Sequence, residues 1–184
     1  PQLAAISSDA HFHGGDYYDA PDGVGPHAGL GVARRIAHVT YRTASEINLR
    51  FGRVAQDGEQ PLGGGGRYAV ESYLDHHAAK LARRFDANSY LVLTEAMNSH
   101  DVGRGRGGVA AALRRITART AVAAIDSDRL YPVDLNRELA EGIPGCAPLR
   151  VISSPNGHDG FLVELETVGG IVAELLGERT LTYC

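Results

Sequence analysis

From His27 to Tyr41 apolar positions recur at intervals of three and four, and Leu30, Ala33, Ile36 or Ala37, and Thr40 or Tyr41 fall on one stripe of a predicted amphipathic helix. Thr43 to Glu46, "TASE", has the form of a capping box and opens a short helix that runs to Phe51. The period then stops. Gly52 to Gly66, "GRVAQDGEQPLGGGG", is too rich in glycine to sustain a helix or a strand and is expected to be a mobile loop. Helical spacing returns with Val70, Tyr73 or Leu74, His77, Leu81 and Phe85 on one face. "NSYLVLTEAMNSH" predicts a further helix, with Asn88 as its N-cap. The first half therefore reads as all-α.

After His100 the texture changes. "RTAVAAID" (Arg119 to Asp126) and "LRVISS" (Leu149 to Ser154) are short runs of Ala, Val and Ile, each followed by a loop and a helical stretch, "PVDLNRELAEGI" and "FLVELETVGGIVAELLG". Near-continuous apolar strands alternating with helices predict a parallel sheet covered on its faces, and Pro132 suits the first position of its helix. Residues 1–98 are expected to form a helical region and 99–184 the last two βα units of an α/β core. Two strands leave both sheet edges unpaired, so this half calls for more strands than it contains. The chain opens at Pro1, inside text that reads like the middle of a helix, which raises the expectation of an upstream part.

Composition narrows the chemistry. A length of 184 residues with 43% hydrophobic and 22% charged positions suits one or two small globular units. A net charge of −4 with interspersed signs provides no basic field for nucleic acid or anionic lipid, and no apolar run is long enough to span a membrane. Small metabolites remain as partners, in a chain expected to be cytoplasmic. Cys146 and Cys184 are too few for a disulfide framework and lack metal-ligand spacing. The adjacent His76 and His77 point about 100° apart on a helix and share one ion poorly. "GRGRGG" (Gly103 to Gly108) is a single copy in an acidic chain and reads as a tight loop rather than an RNA-binding segment.

In open α/β sheets ligands bind beyond the carboxyl ends of the strands. "DSDRLYP" follows the first predicted strand and "NGHDGF" the second, so Asp128 precedes His158 in the acid-then-histidine order of α/β-hydrolase triads. A carboxylate in that role fixes the tautomer of the imidazole and stabilises its protonated form. The competing reading has Asp128 capping the helix at Pro132 and His158 as an ordinary loop residue. A nucleophile is missing: no serine lies in a Gly-x-Ser-x-Gly elbow.

The stretches "GGDYY", "GLGVARRIAHVTYR", "GGRYAVESYLDHHAAKLARRFDANSYLVLTEAMNSHDVGRGRGGVAAAL", "SDRLYP" and "GHDGFLVE" closely resemble homoserine O-acetyltransferases of the actinobacterial type, from about His13 to Gly177. That resemblance implies the C-terminal part of an α/β-hydrolase core preceded by an all-α lid region. It implies a ping-pong transfer of acetyl from acetyl-CoA to a serine and then to the γ-hydroxyl of L-homoserine, with no cofactor beyond the acyl donor. Carried onto this sequence, it makes Asp128 the acid and His158 the base. It places Asp159 on the homoserine ammonium and Arg34 on its carboxylate, and it implies a homodimer formed through the lid helices. The family's nucleophilic serine belongs to the half that this sequence does not contain. Two alternatives stay open: a succinyl donor, and an inactive chain with only a binding or dimerisation role.

Overall fold

The helical stripe of the first half closes around two side chains, Ile6 and Leu30, which are almost wholly shielded from solvent in the computed structural model. Residues 1–21 and 23–177 are described; Cys184 lies outside them. The chain divides into two units, Pro1–Thr40 with Ile47–His100, and Tyr41–Glu46 with the chain from Asp101 onward.

The first unit contains α1 (Gln2–Ser7), most of α2 (His27–Tyr41), the end of α3 (Ala44–Phe51), α4 (Ala69–Ala82) and α5 (Ala87–Ser99). Leu30 and Ala33 of α2 pack with Ile6, Phe12, Leu81 and Ala87, and Tyr17, Phe85, Tyr90 and Leu91 complete the cluster. Of the two possible stripes on α2, Ala37 is buried and Ile36 half-buried. Gly29 lets α1 and α2 approach closely: a Cβ there would lie 2.5 Å from the Ala5 carbonyl oxygen. Its N–H donates to Asp9 Oδ2 at 2.6 Å.

Three local expectations are corrected. The cap of α5 is Asp86, whose carboxylate accepts the Ser89 N–H at 2.7 Å, and not Asn88. Asn88 sits inside the first turn, where its amide donates to the Gly15 carbonyl at 2.8 Å. The Gly-rich stretch forms no helix, as its composition requires, but a single antiparallel bridge joins Ala55 to Tyr68 at its end. Arg67 fastens that end to Glu59 and Asp75. Pro132 is the N-cap residue, and its helix begins one position later.

The His76 and His77 rings meet edge to face, with centroids 5.4 Å apart. The His77 ring stacks on His38 with centroids 4.0 Å apart, and His38 Nε2 lies 2.7 Å from the Tyr73 hydroxyl. Burial pushes the His77 pKa down, helped by the positive charges of Arg34, His76, Lys80 and Arg50.

In the second unit, β1 (Ala123–Ile125) and β2 (Arg150–Ile152) pair in parallel, with Ala123, Ala124 and Ile125 opposite Arg150, Val151 and Ile152. The connection between them is α7 (Val133–Gly142), as a βαβ unit demands. A short α6 (Val109–Leu113) precedes β1, while α8 (Gly160–Val163) and α9 (Leu165–Leu176) follow β2. Val122, Ala124, Ile125 and Ile152 are buried, as expected for strands inside an α/β layer. Leu135 and Leu139 of α7, Val151 of β2, and Leu165, Val172 and Leu176 of α9 remain exposed. Two short strands are too little sheet to cover the apolar faces that these helices carry.

Candidate active site

Both loops that leave the carboxyl ends of the strands are tied to each other before any ligand is considered. Asp126, the first residue after β1, accepts the Ser154 N–H at 3.0 Å and the Ser153 hydroxyl at 2.7 Å. Ser127 donates its hydroxyl to the Ser154 carbonyl and accepts the Gly157 N–H at 3.0 Å. This cross-strand stapling carries Asp128 and His158, thirty positions apart, into one place.

Asp128 Oδ2 lies 2.9 Å from His158 Nδ1. The other oxygen, Oδ1, accepts the N–H groups of Leu130 at 2.8 Å and Tyr131 at 3.1 Å. Asp128 does not cap α7, whose N-cap is Pro132 and takes no side-chain hydrogen bond; it closes an Asx turn ahead of that helix and also lies against the histidine. Its side chain is only 8% exposed, and burial by itself would raise the carboxyl pKa. The hydrogen bonds from His158, Tyr131 and Leu130 outweigh that and hold it below the usual carboxylate range. An ionised Asp128 at Nδ1 keeps the ring proton of neutral His158 on that nitrogen and turns the Nε2 lone pair to the reaction. Among the described residues no hydrogen bond occupies Nε2.

The rings of Tyr41, Tyr131 and Phe161 surround the imidazole, with centroids 5.5, 5.4 and 5.8 Å away. They fix its plane and lower the polarity around it. The glycines of "NGHDG" make this placement possible. Gly157 has φ +64°, and a Cβ on it would stand 2.5 Å from the Tyr41 carbonyl oxygen. At Gly160 a Cβ would press on Ile125 Cγ2 at 2.8 Å. The 3₁₀ turn Gly157–Asp159 is thus seated against the Tyr41–Thr43 backbone on one side and β1 on the other.

Asp159 and Arg34 stand differently. Asp159 Oδ2 accepts Arg42 Nη1 at 3.0 Å, a contact between residues 117 positions apart. Arg34 lies half-buried on α2 in the first unit. The sequence reading missed Tyr41, Arg42, Glu46, Ser127 and Ser154. Of these, only Ser127, enclosed between two aspartates after a strand, carried a local signal. Among the described residues no group of His, Cys, Asp and Glu side chains could hold a metal ion, and no helix is long and apolar enough to cross a membrane.

The arrangement can accept a proton from a nucleophile or a water and return it to a leaving group, with the acid held ionised throughout. Comparison with known proteins narrows the chemistry. The chain matches no protein-family model. It is 66% identical to the homoserine O-acetyltransferase of Thermobifida fusca (strain YX) over 178 residues, which cover 97% of this chain and 46% of that protein. The homoserine O-acetyltransferase of Nocardia farcinica (strain IFM 10152) is 55% identical over 175 residues, or 95% of this chain and 45% of that one. In architecture the chain resembles the crystal structure of a homoserine O-acetyltransferase from Bacillus anthracis, with TM-score 0.82 and 20% identity over 99% of this chain and 48% of that chain. That likeness identifies the fold as part of an α/β-hydrolase core. The chain spans about half the length of the curated relatives it matches.

Proposed function

Because this chain belongs to the homoserine O-acetyltransferase family, of whose members it spans about half the length, we propose that it carries the acid–base part of an acetyl transfer from acetyl-CoA to L-homoserine in methionine biosynthesis. The observation that carries this reading is the 2.9 Å Asp128–His158 pair at the carboxyl ends of β1 and β2.

In this reading a serine outside the chain attacks the thioester of acetyl-CoA. His158 Nε2 takes its proton, and the imidazolium is stabilised by Asp128. The proton then passes to the CoA thiolate as it leaves. In the second half-reaction His158 removes the γ-hydroxyl proton of homoserine, the alkoxide attacks the acyl-serine, and the serine recovers the proton. Asp159 receives the homoserine ammonium and Arg34 its carboxylate, for which a guanidinium fork is matched in shape and charge. Residues 1–98 act as the helical lid and 99–184 as the carboxyl-terminal part of the core. Exposed Val32 and Val39 on α2, with Val92, Leu93 and Met97 on α5, favour a homodimer formed through the lid helices. We assign the enzyme to the cytoplasm with its acyl donor.

Rapid mixing of the complete transferase with acetyl-CoA alone tests this mechanism. One equivalent of CoA per active site should be released before homoserine is added, and none in His158→Ala. Steady CoA release only in the presence of homoserine would overturn the ping-pong route. Succinyl-CoA in place of acetyl-CoA should give no burst.

A further inference from the structure

Three successive residues after β1 grip three successive parts of the loop after β2. Asp126 accepts the Ser153 hydroxyl at 2.7 Å and the Ser154 N–H at 3.0 Å, where that loop starts. Asp128 reaches His158 itself at 2.9 Å. The grip between them is made by a single atom. Ser127 Oγ donates to the Ser154 carbonyl and accepts the Gly157 N–H at 3.0 Å, so it joins the two ends of the turn that runs through Pro155 and Asn156.

Ser154 holds the same turn from within. It is 3% exposed, and its Oγ accepts the Asn156 N–H at 3.3 Å and the Asn156 side-chain amide at 3.1 Å. Gly157 is buried as well, with its φ of +64° and a backbone so close to the Tyr41 carbonyl that no side chain fits. It directly precedes His158, so the tether on its N–H fixes where the histidine leaves the turn. The tether needs an atom that gives one hydrogen bond and takes another at short reach, which a hydroxyl does and a methyl group does not.

We infer that Ser127 is a positioning residue for the base: by fixing Gly157 it sets where His158 Nε2 stands, while Asp128 sets the tautomer of the ring. The two functions are separable because they use different atoms. Loss of the Ser127 hydroxyl leaves the bond from Asp128 Oδ2 to Nδ1 in place and lets the turn and the ring drift together. A displacement on the order of 1 Å can cost about a hundredfold in rate. The same Nε2 serves both half-reactions, so the loss falls on both. This inference rests on the transferase reading above and deepens it at the base.

The test mixes the complete transferase with acetyl-CoA first and homoserine second, as Ser127→Ala and as Ser127→Thr. Ser127→Ala should slow the CoA burst and the later deacylation by a common factor of about a hundred, with KM for both substrates unchanged. Ser127→Thr keeps the hydroxyl and should recover most of that rate. The low-field proton resonance of the His158 Nδ1–H bonded to Asp128 should persist in Ser127→Ala. A purely structural role would abolish that resonance, and a substrate contact would confine the defect to one step; either result overturns the inference. Wild-type rates in Ser127→Ala overturn it too. Should Ser127→Ala fail to fold, Ser127→Cys keeps the shape with weaker bonds and should show a smaller loss in both steps, and wild-type rates there count against the inference equally. All of these results leave the transferase reading intact. Absence of a burst in wild type, or an unchanged burst in His158→Ala, overturns the reading itself.

Discussion

Asp128 holds His158 Nδ1 at 2.9 Å, while Asp126, two positions earlier on the same turn, spends both its oxygens on Ser153 and Ser154. The two carboxylates follow one strand and have different work. In the complete transferase, Asp128→Asn should lower kcat by about 10⁴, the loss seen when an amide replaces the acid of a serine-protease triad and presents the wrong partner to the imidazole. Asp126→Asn loosens the stapling between the two loops and should cost far less in rate. Steady-state kinetics of both variants separates them; the opposite ranking would move the acid to Asp126.

The depressed pKa of Asp128 sets a pH dependence for stability. Because hydrogen bonds hold the folded-state value below the ordinary carboxylate range, folding favours the ionised form. The stabilisation is complete above the unfolded-state pKa, about 3.9, and is lost as pH falls through the folded value. Below about pH 5 the difference in unfolding free energy between wild type and Asp128→Asn should shrink on further acidification. Urea titrations across that range read it directly. A difference that grew toward acid would mean that the folded carboxyl pKa is raised.

Gly157 combines a positive φ with a neighbour at 2.5 Å, so a methyl group there meets both backbone strain and the Tyr41 carbonyl. Gly157→Ala should destabilise the second unit by about 1–3 kcal/mol, as strained backbone positions do, and should displace His158. Thermal unfolding with near-ultraviolet circular dichroism of the surrounding tyrosines would register the change. Gly169→Ala, where a Cβ meets nothing within 4 Å, is the matched control and should be neutral or slightly stabilising.

We propose that Arg34 contacts the acceptor and not the acyl donor. Arg34→Lys keeps the charge and loses the planar fork, a difference of roughly 1.5–3 kcal/mol, or about ten- to a hundredfold in apparent homoserine affinity. Sequential mixing with acetyl-CoA and then homoserine should locate the defect in the second step. Acylation slowed as much as deacylation would remove Arg34 from the carboxylate site.

Much of the fold was legible because it is local. The three-and-four spacing of α2 predicted the burial of Leu30 and Ala33, and the Ala-Val-Ile runs predicted two parallel strands with a helix between them. The acid-then-histidine order pointed to Asp128 and His158 because strand ends fix where such loops must meet. The cap of α5 was misplaced by two residues, since Asp86 and Asn88 are both good caps and only the backbone selects between them. The Arg42–Asp159 contact was illegible for a different reason. Glu46 reads as the far end of the "TASE" capping box and Arg42 as the residue just before it, and nothing local announces that residues 41–46 belong with a loop more than a hundred positions away.

The central claim is that Asp128 and His158 of this chain supply the acid and base for acetyl transfer to homoserine. Its most direct test replaces the matching 178 residues of the Thermobifida fusca homoserine O-acetyltransferase with this chain, in wild-type form and as His158→Ala, and measures O-acetylhomoserine formed from acetyl-CoA. The account predicts that the wild-type chimera is active, that His158→Ala is lower by at least about 10³, and that this chain alone forms no product. An active His158→Ala chimera, or product made by this chain alone, would contradict it.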